Sequence, residues 1–221
     1  MKVSEIFKSI EGEGLRTGLA AVFVRLHGCN LRCAYCDSMY AVEGNDFRQM
    51  SVDDVFAAVE SYRLESGVKC VTLTGGEPLI HEGVGELLSK FSAAGYEVNV
   101  ETNGTVPCKW NLPGLFYTMD WKCKSSGMSG KMKIENMQTL CKNDVLKFVV
   151  GSVEDLHEAE SVVAQLSTTR MPHLFISPVF GTLSYQQIVD WMLGSKIMTE
   201  NKARFQVQLH KVVWNPDMRG V

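Results

Sequence analysis

Three cysteines, Cys29, Cys33 and Cys36, fall within eight residues in the run GCNLRCAYCDS. Thiolates are soft ligands, and a C-x3-C-x2-C spacing lets three of them take three corners of a cubane 4Fe–4S cluster. An electron-transfer cluster normally takes a fourth cysteine, so three leave one iron open to bind another molecule. Structural zinc would need four ligands, commonly in two separated pairs. Cys108, Cys123 or His27 could complete such a site, and unligated thiols are a third alternative. The chain holds seven cysteines in all, the others being Cys70, Cys108, Cys123 and Cys141. An odd number argues against a disulfide framework and makes a metal site the first reading.

The cysteine run follows an apolar stretch, residues 20–26, that reads as a strand. Further short strands are expected at 69–73, 97–100, 115–119, 145–150, 173–176 and 205–209. Amphipathic segments separate them. One opens at Ser51, a helix N-cap with an acid three residues on, and places Val52, Val55, Phe56 and Val59 on one face. Others are expected at 83–94, 153–166 and 184–193. Such alternation implies parallel strands joined by crossover helices, whose active sites lie at the loops after the strand ends. An eightfold barrel uses about 250 residues. A chain of 221 therefore points to an abbreviated, incomplete (β/α) TIM-like barrel of the α/β class, in one domain over residues 1–221. The Gly- and Ser-rich segment 123–133 predicts a mobile loop.

Composition narrows the function classes. The chain has 22 Lys plus Arg against 25 Asp plus Glu, a net charge of −3, with no global footprint for nucleic acid or anionic membrane. Its clearest apolar run, residues 19–24, is far short of the ~20 residues of a spanning helix. Acids in MKVSEIFKSIEGEG stand where a signal peptide has its apolar core. A cytoplasmic location, where thiols stay reduced, is the expectation.

The cysteine spacing, with Tyr35 before the last cysteine, and VTLTGGEP at 71–78 resemble the radical S-adenosylmethionine superfamily. A GG pair alone is usually a plain turn, but GGEP after a strand together with the cysteine loop is specific. SIEGEG (9–14), FVRLHGCNLRC (23–33), CDS (36–38), ETNGT (101–105), DVLKFVVG (144–151), SPVFG (177–181) and VQLHK (207–211) resemble the 7-carboxy-7-deazaguanine synthase family over nearly the whole chain. The resemblance implies a 4Fe–4S cluster held by Cys29, Cys33 and Cys36, with S-adenosylmethionine on the open iron. It also implies conversion of 6-carboxy-5,6,7,8-tetrahydropterin to 7-carboxy-7-deazaguanine and ammonia, for queuosine and related bases. In that chemistry a 5′-deoxyadenosyl radical takes the C6 hydrogen, and the cofactor is regenerated. A homodimer, an external flavodoxin-like or ferredoxin-like electron donor, and no direct contact with nucleic acid or membrane are implied as well.

The resemblance also assigns residues, each with a duller alternative. Arg25, mid-strand in an apolar run, meets the substrate carboxylate; otherwise it forms an internal salt bridge. Ile10, Glu11, Gly12 and Glu13 contact the pterin, although the family often has Gln at Glu11; acids in a Gly-rich turn are otherwise merely solvated. Thr74 meets substrate, and Ser38 gives its hydroxyl to Mg²⁺ unless it is an ordinary loop serine. Tyr35, Cys36, Asp37, Gly76, Glu77 and Asn103 line the S-adenosylmethionine site. So do Asp120, Trp121 and Lys122, with Ser177, Pro178, Val179 and Phe180 near the adenosine. Glu101, at a strand end, and His210, expected on the last strand, are candidate catalytic groups; a lone His there is otherwise a packed core residue. Two rival readings remain at the level of sequence: an activase that installs a glycyl radical on a partner protein, and a zinc-bearing binding module.

Overall fold

Polar and apolar residues alternate along the strands, and that alternation shapes the molecule. The structure, a computed structural model, describes residues 1–166 and 168–221. Its strands are β1 (Lys2–Ile10), β2 (Ala20–Leu26), β3 (Arg48–Gln49), β4 (Cys70–Gly75), β5 (Glu97–Thr102), β6 (Leu115–Trp121), β7 (Val145–Val150), β8 (His173–Pro178) and β9 (Arg204–Phe205). They form one nine-stranded sheet in the order β3-β1-β2-β4-β5-β6-β7-β8-β9. The strands from β2 to β9 along this order are parallel, while β1 and β3 extend the β2 edge antiparallel. The result is the incomplete TIM-like barrel expected of a short α/β chain.

Helices α1 (Val52–Ser66), α2 (Val84–Ala93), α3 (Ile134–Met137), α4 (Val153–Val163), α5 (Tyr185–Gly194), α6 (Lys196–Glu200) and α7 (Leu209–Val213) complete the chain. Helix α1 starts in the capping box anticipated at Ser51: its hydroxyl accepts from the Asp54 N–H, and the Asp54 carboxylate accepts from the Ser51 N–H. It stops at Gly67, whose φ of 74° suits a residue without Cβ. The helix-facing positions of the strands, Val71, Leu73, Val98, Val100, Met119, Leu146, Phe148, Leu174 and Ile176, are buried in one apolar core with α1, α2 and α4. The intervening positions carry polar groups: Thr72 and Thr74, Asn99 and Glu101, Thr118 and Asp120, Lys147, Ser177. A strand reverses face at each residue, so these polar side chains share the concave surface.

Three expectations are corrected. Strand β1 was not among the expected strands because KVSEIFKSI mixes charges into a half-buried edge rather than a continuous apolar run. The strand expected at 205–209 shrinks to β9, and Leu209–Val213 is helical, so His210 sits on α7 and not on a strand. The cause is local. The Gln206 side chain accepts from Gly14 N at 2.9 Å, and Leu209 N donates to Gly12 O at 3.0 Å. These bonds draw the chain over residues 12–14 instead of along the sheet. Segment 123–133, expected to be mobile, forms two 3-10 turns, Lys124–Ser126 and Ser129–Lys131, with Ser126 buried. Its Ser126 carbonyl accepts from Ala34 N at 2.9 Å, bracing the cysteine loop.

The GGEP turn is fixed by backbone contact. Gly75 has φ 137°, and a Cβ there would collide with the Leu26 carbonyl; one on Gly76 would collide with the carbonyl of Gly28. Gly76 N donates to Leu26 O at 3.1 Å and Glu77 N to Gly28 O at 2.9 Å. The glycines therefore seat the turn on the strand that leads into the cysteines, a tighter requirement than ligand access alone. Gly75→Ala is expected to lower unfolding free energy by on the order of 3 kcal/mol, from strain plus backbone displacement. Chemical denaturation of the metal-free protein checks this; an unchanged midpoint would contradict the packing argument.

Candidate active site

The strand ends open onto a cavity of about 860 Å³, within the ~300–1,000 Å³ range of small-molecule sites. Cys29, Cys33 and Cys36 lie on one wall, all unpaired. Cys29 Sγ accepts from Leu31 N at 3.4 Å and from Asn103 Nδ2 at 3.5 Å, the kind of N–H donation that stabilises a ligating thiolate. Burial raises the Cys33 thiol pKa, and its neighbours Cys36 and Cys29 add to that rise. A metal that displaces the protons removes this conflict. Three free thiols on one short loop line the cavity, no other cysteine among the described residues does so, and this set fits a site-differentiated 4Fe–4S cluster.

Gly76 and Asn103 lie beside the cysteines, and Asn103 also donates to Asn30 Oδ1 at 2.9 Å. Glu77 is placed differently from its expected contact. Its carboxylate is fully buried and accepts from Leu79 N (3.0 Å), Thr102 Oγ1 (2.8 Å) and Asn103 N (2.6 Å), tying the turn to the end of β5. Burial raises its pKa. Glu77 therefore shapes the wall through its backbone and its neighbours, while its side chain does not line the cavity.

Tyr35, Asp37, Asp120, Lys122, Pro178, Val179 and Phe180 line the same cavity. Tyr35 donates to Val149 O at 3.4 Å, and Lys122 Nζ pairs with Asp120 Oδ2 at 2.8 Å. Trp121 does not join them. It occupies the helix-facing side of β6, where its Nε1 donates to Glu158 at 3.1 Å. Alternation along the strand separates 121 from 120, a signal already present in the sequence. Ser177 faces inward but sits behind Glu13, donating to its Oε1 at 3.1 Å.

The cavity also holds Ile10, Glu11, Gly12, Glu13, Arg25, Thr74, Glu101 and His210, with Ser38 close to Cys36 (Sγ to Oγ 3.9 Å). Arg25 Nε donates to Glu5 Oε1 at 2.6 Å, and Tyr40 donates to the same oxygen at 2.7 Å. The internal salt bridge weighed for Arg25 is thus present, and the residue still lines the cavity. Glu11 is buried, and its Oε1 accepts from both Arg16 Nη2 and the Thr72 hydroxyl, which ties that oxygen to the barrel floor. Thr74 donates to Glu101 Oε2 at 2.7 Å. Burial, the largest influence, raises the Glu101 pKa, although Lys147 opposes the rise. Burial lowers the His210 pKa against the pull of Glu13 and Asp37, which favours the neutral imidazole. That ring packs on Gly12, where a Cβ would collide with it.

Sequence reasoning missed several cavity residues. Lys147 is buried on β7, 2.9 Å from Glu13 Oε2 and 3.1 Å from Asp120 Oδ1; a lone Lys in VLKFVV was the available signal. Residues 216–221 also line the cavity, and the Arg219 guanidinium stacks 3.7 Å from the Tyr40 ring centroid. Outside the cavity, Cys123, Asp155 and Glu158 bring possible ligand atoms within 4.8 Å of one another. Their carboxylate oxygens accept instead from Ser125 N, Gly151 N, Lys124 N and Trp121 Nε1, at 2.8–3.1 Å, and hold the 124–131 turns in place.

Raised pKa values have a consequence for stability. Glu101 binds its proton more tightly folded than unfolded, so its contribution is present below the unfolded value and is lost as pH rises through the folded one. Glu101→Gln mimics the protonated acid at every pH. Thermal unfolding of the metal-free variant should therefore pull ahead of the wild type progressively as pH rises, while activity falls by about 10²-fold or more. A pH-independent stability difference would contradict the assignment.

Residues 23–110 match the family model of the Radical SAM superfamily. Two solved structures share the fold: that of QueE from Escherichia coli (TM-score 0.73, 22% identity, 94% of this chain and 93% of that one) and that of Streptococcus suis SuiB bound to S-adenosylmethionine (0.60, 12%, 84% and 51%). Cysteine loop, glycine turn and partial barrel together define a radical S-adenosylmethionine enzyme, whose cofactors are a 4Fe–4S cluster and S-adenosylmethionine. Among curated relatives, the 7-carboxy-7-deazaguanine synthase of Clostridium acetobutylicum is 43% identical over 100% of this chain and 99% of its own length. That of Methanospirillum hungatei is 40% identical over 98% and 86%. The chain belongs to the 7-carboxy-7-deazaguanine synthase family. No described helix is long and apolar enough to cross a membrane.

Proposed function

We propose that the chain converts 6-carboxy-5,6,7,8-tetrahydropterin to 7-carboxy-7-deazaguanine with release of ammonia, a lyase step toward queuosine-type bases. One observation carries this reading: a single cavity is lined both by the three free thiols and by Arg25, Glu13, Glu101 and His210; we assign the part next to the thiols to S-adenosylmethionine and the part around Arg25 and Glu13 to the pterin. When bound, the cluster and S-adenosylmethionine supply the radical that takes the substrate's C6 hydrogen. The remaining work falls to the chain. Cys29, Cys33 and Cys36 hold the cluster, and Gly76, Asn103, Tyr35, Asp120, Lys122 and Pro178–Phe180 hold the cofactor. Arg25 meets the substrate carboxylate with its guanidinium, Glu5 fixing the orientation. Glu13 and the backbone of residues 10–12 accept from the pterin N–H groups. Thr74 orients Glu101, which holds a proton at its carboxyl for the steps that lose ammonia. Neutral His210 offers both a donor and an acceptor. The Ser38 hydroxyl would serve as a protein ligand to Mg²⁺, whose charge would help neutralise the substrate's oxygens. The enzyme works as one domain over residues 1–221, as a cytoplasmic homodimer supplied by a flavodoxin-like or ferredoxin-like donor, without gripping nucleic acid.

Reduced, cluster-loaded protein incubated anaerobically with the tetrahydropterin, S-adenosylmethionine and Mg²⁺ should yield a ring-contracted product of the deazaguanine mass. Loss of cofactor with no such product would sink the substrate assignment.

A further inference from the structure

Strand β7 reads VLKFVV, and Lys147 is its one polar residue. Its side chain is 8% exposed. Nζ reaches Glu13 Oε2 at 2.9 Å and Asp120 Oδ1 at 3.1 Å. Each carboxylate has a second anchor: Glu13 Oε1 accepts from Ser177 Oγ at 3.1 Å and Gln206 Nε2 at 3.4 Å, and Asp120 Oδ2 from Lys122 Nζ at 2.8 Å. Glu13 stands in the half of the cavity that the functional reading gives to the pterin. Asp120 stands in the half given to S-adenosylmethionine. A buried ammonium that loses a partner is strongly destabilised, so a shift of either carboxylate is felt at the other through the shared Nζ. Lysine suits this role because its charge is compact and its three donors radiate from one atom, whereas a planar guanidinium would favour one carboxylate.

We propose that Lys147 is a positioning residue that couples the two halves, so that occupancy of either changes affinity at the other. The proposal rests on the functional reading for which ligand fills which half. Linkage is reciprocal, which makes it measurable without turnover.

The test is calorimetric titration of S-adenosylmethionine into anaerobic, cluster-loaded protein with no reductant, with and without saturating 6-carboxytetrahydropterin. In the wild type the two Kd values should differ by at least about fivefold. In Lys147→Gln, with iron content unchanged, the ratio should collapse toward one, and Lys147→Arg should restore part of it. An undiminished ratio in Lys147→Gln, or none in the wild type, overturns the proposal. Should Lys147→Gln fail to fold, Glu13→Gln decides: altered S-adenosylmethionine affinity supports coupling through Lys147, and unaltered affinity overturns it. A wild type that binds no pterin fails the functional reading itself, and the coupling falls with it; a wild type that makes product but shows no linkage fails the coupling alone.

Discussion

Replacing Cys33 with alanine should give a folded but colourless protein that has lost its cluster, with product formation below about a thousandth of the wild type, because the cofactor carries the chemistry. Cys29→Ala and Cys36→Ala should behave alike. The argument is geometric. The three thiols share one wall of the cavity, among the described residues no other cysteine lines it, and the Cys29 sulfur already receives two N–H groups. A cluster with two protein thiolates would leave two irons unsatisfied and exposed. Cys70→Ala is the control. Cys70 opens β4, at the end opposite Gly75 and the cavity, so its loss should leave iron, sulfide and activity near wild-type values. Iron and acid-labile sulfide analysis with visible absorption reads all four variants. Cluster loss in Cys70→Ala, or stoichiometric zinc without sulfide in the wild type, would overturn the ligand assignment.

Arg25→Gln should raise the KM for the tetrahydropterin by about 10²-fold or more while leaving S-adenosylmethionine affinity within about twofold, since a buried carboxylate would lose its charged partner. Glu5 accepts from Arg25 and is itself fixed by the Tyr40 hydroxyl, so the guanidinium is set before substrate arrives and less ordering accompanies binding. Arg25→Lys should restore little, because an ammonium cannot present two parallel donors. The diagnostic comparison uses a tetrahydropterin lacking the 6-carboxylate as a ligand. Wild type and Arg25→Gln should bind it with similar, weak affinity. A penalty that persists with this analogue would mean that Arg25 acts through the fold instead of the carboxylate.

What could be read directly from the sequence was what the chain keeps contiguous. The cysteine loop, the GGEP turn and the capping box at Ser51 each lie within a few residues; the capping box forms as anticipated, and the three cysteines line one cavity with Gly75 and Gly76, although the Glu77 side chain turns away from it. Strand alternation fixed most of the concave face, and the same alternation argues against Trp121 as a cofactor contact. The remainder depended on contacts between distant segments. Gln206 with Gly14, and Leu209 with Gly12, join residues almost two hundred positions apart and turn an expected strand into the helix that carries His210. Lys147 gains its partners only in the folded chain, where Glu13 and Asp120 reach it from other strands and loops. The Gly and Ser of segment 123–133 suit a loop by local composition, yet the carboxylates of α4 and the Ala34 N–H pin it. Such pairings are set by topology, which local composition does not encode.

On the proposed function, the cavity holds the pterin C6 within reach of the radical that bound cofactor would supply, and the hydrogen taken there would be returned at the end of the cycle. Incubation with tetrahydropterin deuterated at C6 tests it most directly. The expected result is 7-carboxy-7-deazaguanine with one ammonia per product, and deuterium in recovered S-adenosylmethionine, as a regenerated cofactor would carry the label. Unlabelled cofactor, or 5′-deoxyadenosine accumulating in proportion to product, would contradict it.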